Sequence, residues 1–347
     1  MLKPLKRGAL RTMKHLGVYR ACRDSAWRRR RLLILCYHGI SLDDEHRWDP
    51  QFYMSPADFE RRLELLAAGG YTVLPLGQAL EQLYAGTLAP RSVCLTFDDG
   101  LFDFQERAMP LLEKYGFPAT VYLTTYYSDF NRPVFNPFMQ YVMWKSERTT
   151  VDASALLGRE TVWELRSAAG RHAALVTLLQ FARARDMSAA DKDKLAARVC
   201  ALLGIDYDAL VERRMLHLLT PEEVARLARR GVDFQLHTHR HCNPRDREGL
   251  AREIIDNRRR MEEILGESPV DFCYPSGVCR DGYPEWLAEL GVRSATTARA
   301  ALASPDSHIM MLPRVVDSTS LDTLEFEGWL TGVSAAIPQR HWHVEVD

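Results

Sequence analysis

The sequence predicts an α/β fold, a parallel sheet or barrel broken by one long helical insertion. Three observations lead there. Short apolar runs alternate with amphipathic stretches, the alternation lapses over residues 129–214, and each chemistry-bearing motif falls where an apolar run ends.

Residues 32–37 read as a buried strand ending at His38-Gly39. A helix starts near Ser55, whose hydroxyl can cap it, with Pro56 at the first helical position. Phe59, Leu63 and Leu66 recur at helical spacing, and Gly69-Gly70 ends that helix. Strand 71–74, helix 76–84 and strand 92–97 come next, then a helix over 104–115 stopped by Gly116 and a strand over 119–124. Residues 129–214, rich in Ala, Leu, Arg and Glu, predict a helical insertion with runs at 160–169, 172–185 and 189–203, placed so that it can cap a site. Alternation resumes with helix 221–230, strand 232–236, helix 247–265, strand 271–274, helix 283–290, strand 294–297 and a last strand near 310–315. The chain thus divides into an arm (1–31), a barrel (32–318) interrupted by the insertion (129–214), and a C-terminal helix and tail (319–347).

Bulk composition is that of a soluble globular protein, 46% hydrophobic and 26% charged. The formal net charge of −1 hides an asymmetry: residues 1–31 carry eleven Lys or Arg and one acid, Asp24. The arm reads either as a solvated basic tail or as peripheral attachment to an anionic membrane face, with Leu2, Leu5, Met13 and Leu16 sharing one helical side. No nucleic-acid motif follows it, so no nucleic-acid partner is expected. The longest apolar run near the start is too short to span a bilayer, and no small-residue cleavage site follows it. The seven cysteines lack framework spacing, which predicts reduced thiols in a cytoplasmic protein, peripheral at the inner membrane face if the arm binds lipid.

Two segments carry the chemistry. In LTFDDG (95–100) an apolar strand delivers two adjacent carboxylates into a turn that Gly100 permits. Neighbouring side chains leave a strand in opposite directions, so both serve one site only where the strand ends. One of Asp98 and Asp99 can then bind a cation while the other takes a proton from water; a bare Asp-Asp-Gly is otherwise an ordinary loop. In QLHTHRH (235–241) a second apolar strand precedes His237 and His241, four apart, a spacing that on a helical turn sets two imidazoles on one side, with His239 facing elsewhere. One carboxylate and two imidazoles form the ligand set of several hydrolytic zinc sites.

These segments resemble the polysaccharide deacetylases of carbohydrate esterase family 4, whose first two motifs match TFDDG (96–100) and HTHRH (237–241) without a mismatch. The resemblance implies that Asp98 is the general base, that Asp99, His237 and His241 bind the metal, and that Thr238 supports the loop. FCYPSG (272–277) resembles the third motif of a subgroup, which implies an oxyanion-hole donor at the Tyr274 backbone N–H. The family's late Leu-x-His segment is missing; MLPRVVD (311–317) stands near its place, with Arg314 read by default as a surface ion-pair residue, the other reading being a group that orients Asp98. The subgroup also carries an early Tyr-His segment, matched by CYHGI (36–40), which implies His38 as the acid that protonates the leaving amine. The implied fold is a distorted (β/α) barrel with fewer than eight strands. The implied function is metal-dependent removal of N-acetyl groups from a polysaccharide or lipid-linked glycan, with zinc as the default ion and nickel, cobalt or iron also compatible. The rival readings are an inactive carbohydrate-binding protein that keeps the fold, and a phosphoesterase, which would want more clustered carboxylates.

Overall fold

The computed structural model describes residues 2–337, with side chains from residue 6 onward. Seven strands set the frame: β1 (Leu33–Tyr37), β2 (Ser92–Phe97), β3 (Thr120–Leu123), β4 (Asp233–Leu236), β5 (Asp271–Cys273), β6 (Ser294–Thr296) and β7 (Val315–Val316). All are parallel, and each from β1 to β5 pairs with the next of the seven. β7 returns to pair with β1, while Thr296 at the end of β6 bridges Leu312 just ahead of β7. The sheet therefore curls into a barrel, with the short strand Thr72–Val73 alongside β2.

Period-two alternation sorts the strand residues into two layers. Leu33, Leu35, Tyr37, Val93, Leu95, Phe97, Val121 and Leu123 share the large core with the surrounding helices. Leu32, Ile34, Cys94, Tyr122 and Cys273 face the other way and meet Leu76, Leu80 and Leu83 of helix Leu76–Ala85. Helix boundaries follow local chemistry. Ser55 accepts from the Asp58 N–H ahead of helix Pro56–Ala68, and Thr220 with Glu223 forms a capping box ahead of helix Pro221–Ala228. One strand expectation changes. The segment near 310–315 begins with a 3₁₀ turn at Ile309–Met311, so the strand is only Val315–Val316.

The insertion is not purely helical. Residues expected to be helical over 160–169 instead supply strand Val162–Glu164, paired antiparallel with Thr150–Asp152. Thr161, Val162 and Thr149-Thr150 are β-branched, and that local stiffness favours the hairpin. Helices Ala168–Ala184 and Ala189–Leu203 lie where expected and build a second core with Tyr141, Trp163 and Leu210. The returning chain runs beside the Asp-Asp-Gly turn: Leu219 N–H donates to Gly100 O, and Phe102 N–H to His217 O.

The arm is docked rather than free. Helix α1 (Leu2–His15) lies on α2 (Thr323–Thr331), with Lys6 paired to Glu325, Arg7 to Asp322 and Lys14 to Glu327. Leu10 is buried and Met13 packs beside it, whereas Leu16 is exposed, so Met13 and Leu16 do not share one outward face. The side chains of Leu2 and Leu5 in that expectation lie outside those described, as does the tail 338–347. No helix among the described residues is long and apolar enough to cross a membrane.

Candidate active site

The site sits at the C-terminal ends of the strands. Asp98 continues β2, its N–H donating to Tyr37 O, and Asp99 then turns left-handed with φ 70°. That turn breaks the alternation, so the two carboxylates are no longer thrown to opposite faces. Gly100 follows with φ 78°, a conformation that favours glycine, and a Cβ there would meet Leu123 Cδ1 at 2.3 Å and force that side chain to shift.

His237 and His241 come together through a loop, not the helical turn that their spacing suggested. Thr238 and His241 take φ values of 60° and 53°, and the Thr238 hydroxyl accepts from the Cys242 N–H at 3.2 Å. Backbone strain of this kind concentrates where surrounding contacts over-determine the chain. Asn257, fully buried on helix Arg247–Leu265, supplies one: its Oδ1 accepts from the His237 N–H, and its Nδ2 donates to Leu123 O and Thr125 Oγ1. Asn257 was not singled out in the sequence, where a lone Asn inside an amphipathic helix carries no signal. His239 faces elsewhere, its Nδ1 at 2.8 Å from Thr125 Oγ1.

Asp99, His237 and His241 converge. Each Nε2 lies 3.2 Å from Asp99 Oδ1. Tetrahedral ligands held about 2.1 Å from a zinc ion would stand about 3.4 Å apart, so the spacing suits a cation. Asp99 Oδ1 is buried and accepts no well-formed hydrogen bond. His237 Nδ1 is held at 2.8 Å from Cys273 O, which sets the tautomer and leaves the Nε2 lone pair facing the cluster. These residues fit a divalent metal. Burial alone would lower His241, but the adjacent Asp99 charge holds its pKa above the ordinary value.

Asp98 occupies a different environment. Arg314, expected at the surface, is buried and grips it with two bonds of 2.7 Å, NH1 to Oδ1 and NH2 to Oδ2. The same guanidinium reaches Thr96 Oγ1, Thr297 O and Cys273 Sγ. Two thiols, Cys36 and Cys273, add donors to Asp98 Oδ2 at 3.5 and 3.4 Å. Burial drives both thiols up, so they stay protonated and able to donate. Burial also pushes Asp98 up, yet the Arg314 charge and hydrogen bonds outweigh it and hold the carboxyl well below the usual range. His38 Nε2 lies 3.9 Å from Asp98 Oδ2, its ring set edge-on to Phe52. Burial lowers its pKa, only partly opposed by Asp98 and Asp99, so the resting imidazole is neutral at pH 7.

Tyr274 requires correction. Its backbone N–H, expected free for an oxyanion, donates to Thr296 O at 3.2 Å, because pairing between β5 and β6 extends one residue past Cys273. Its hydroxyl donates to Met310 O, and the side chain is buried.

Asp103, a second buried carboxyl just past the turn, behaves in the opposite sense to Asp98. It accepts from the Ile40 N–H at 3.2 Å but has no cationic partner among the described residues, and burial, then the Glu45 and Asp99 charges, raise its pKa well above normal. A carboxyl raised in the folded state favours folding below its unfolded value, and that advantage is lost as pH rises through the folded value. Asp103→Asn should therefore match wild type near pH 4 and melt higher at pH 8, by on the order of 2 °C, as thermal unfolding at both pH values would read.

The profile of the polysaccharide deacetylase family matches residues 85–180 and 181–295, well over half of the chain, and the chain belongs to that family. YxkH of Bacillus subtilis (strain 168), named as a polysaccharide deacetylase, is 33% identical over 94 residues, which are 27% of this chain and 32% of that protein. The chain thus matches about a third of that curated relative's length. Among solved structures, the Streptococcus pyogenes deacetylase PplD in complex with acetate has a TM-score of 0.56 at 18% identity, over 89% of this chain and 99% of that one. IcaB from Ammonifex degensii has a TM-score of 0.54 at 17% identity, over 87% and 97%. At such identities the likeness is one of fold, an α/β barrel.

Proposed function

We propose that this chain is a metal-dependent hydrolase that removes N-acetyl groups from amino-sugar units of a polysaccharide or related glycan. The observation that carries the reading is the placement of Asp98, with His38 at 3.9 Å, beside the Asp99–His237–His241 cluster. A divalent ion held by Asp99, His237 and His241, zinc by default, supplies a Lewis acid that lowers the pKa of water and polarises an amide carbonyl. The chain's own residues supply the proton transfers. Asp98, kept ionised by Arg314, takes a proton as water attacks the acetamide carbon. His38, neutral at rest, takes up the proton that Asp98 removed from water, 3.9 Å away, and as the imidazolium passes it to the departing nitrogen, so that the C–N bond breaks to give acetate and a free amine. The donor set of Asp98 holds its carboxylate in place throughout, so little reorganisation accompanies the step.

The test is acetate release from N-acetylglucosamine oligomers by purified protein. Chelation should lower turnover by about 10²-fold or more, and zinc, cobalt, nickel or iron should restore it. Turnover indifferent to chelator would remove the metal from the reading. Glycan binding with no acetate released from any acetylated oligomer would instead favour a binding protein.

A further inference from the structure

We propose that residues 16–31 form a docking face for an anionic phospholipid surface, set at the end of the barrel opposite the metal-ligand cluster. The arm holds eleven basic residues against one acid, and the structure divides them by role. Lys6, Arg7 and Lys14 fasten α1 to the acidic side of α2. Arg23 pairs with Asp24, which also holds Arg91. Arg28 is buried and donates to Leu330 O, Arg31 O and Ser92 O. Arg31 is half-buried and donates to Trp27 O, whereas Arg11, Arg20, Arg29 and Arg30 are exposed and have no acidic partner among the described residues.

Interleaved with these guanidinium groups are apolar side chains that the fold leaves in water. Leu16 is 75% exposed, Val18 39% and Trp27 41%. Trp27 carries Arg31 stacked at 4.2 Å, a cation beside an indole of the kind that suits a headgroup layer. Charge alone would suit any polyanion. Exposed Leu, Val and Trp among the arginines favour a surface with an apolar interior beneath its phosphates.

The location decides which way the enzyme faces. Arg28 caps Ser92, the first residue of β2, while Asp98 and Asp99 follow Phe97, the last. Six residues at about 3.3 Å each put about 20 Å between the two ends. A bilayer against residues 16–31 therefore leaves the cluster pointing into solution. The substrate is then a glycan stretch well clear of the headgroups, rather than a sugar joined to lipid by a short linker. This orientation rests on the deacetylase reading of the site; the lipid face does not.

The test is sedimentation of the full chain with phosphatidylcholine vesicles made with and without phosphatidylglycerol. Binding should require phosphatidylglycerol and weaken as the Debye length falls from about 10 Å at 0.1 M salt to about 3 Å at 1 M. The variant Leu16→Ser/Arg20→Gln/Arg29→Gln/Arg30→Gln changes only exposed side chains. Each basic residue near such a surface is worth about fivefold in partitioning, so the three arginines should lower it on the order of 100-fold. Acetate release from soluble oligomers should be unchanged in the variant, and unchanged in wild type bound to vesicles. Equal sedimentation with both vesicle types, or equal partitioning of variant and wild type, overturns the lipid face. Loss of turnover on vesicle binding overturns the orientation alone.

Discussion

Asp98→Asn should lower kcat for acetate release by about 10²–10⁴-fold, the range that general acid–base groups contribute, while the protein still binds its metal. The cluster of Asp99, His237 and His241 is untouched by the change. Asparagine keeps an oxygen for the Arg314 NH1 bond but loses the charge that balances a buried guanidinium. A stability loss of up to about 3–5 kcal/mol is expected beside the kinetic one, so folding must be checked by circular dichroism and metal content measured on the folded fraction. A folded, metal-loaded variant with wild-type turnover would remove Asp98 from the role of base.

Removing the other partner should cost stability on a similar scale. Arg314→Leu leaves Asp98 in a dry pocket with only thiol donors and the distant His38. Breaking a buried pair from one side costs about 3–5 kcal/mol, readable as a lower midpoint in urea. The carboxyl, freed from the guanidinium, should rise in pKa, and the acid limb of the pH–activity profile should move to higher pH. Stability should shift in a definite sense as well. In wild type the depressed Asp98 contributes fully above about pH 4, and the contribution is lost as pH falls through the folded value. Arg314→Leu should flatten that acid slope. In the double variant Asp98→Asn/Arg314→Leu the losses should fall well short of additive, because neither group is left as an unbalanced buried charge. Strictly additive losses would mean that the bidentate contact carries no coupling.

Much of the frame is a local matter. The strand at 92–97 and the helices at 189–203 and 247–265 lie where periodicity, caps and stop signals predict them. Each is long or strongly patterned, and its start is marked by its own residues: Ser188 and Asp246 accept from the first turns of the two helices. Expectation failed where the local signal was short. A three-residue strand at 162–164 cannot be told from a helical turn by periodicity, and pairing with 150–152 decides it.

The site divides in the same way. The residue types that could ligate a cation, and the strand ends that bear them, are readable from Asp98-Asp99-Gly100 and the two histidines four apart, because metal binding demands particular side-chain types and each pair stands within one short motif. Contacts between residues hundreds of positions apart are not. Arg314 looks like any surface arginine until β7 returns beside β1 and turns it inward to meet Asp98. Cys36 and Cys273 look like inert core thiols until the curled sheet aims both at one carboxylate oxygen. Tyr274 looks free to offer its N–H until β6 takes it. A residue's chemistry is written in its side chain, but its partner, its burial and hence its charge state arise only when the barrel brings distant strands within bonding distance.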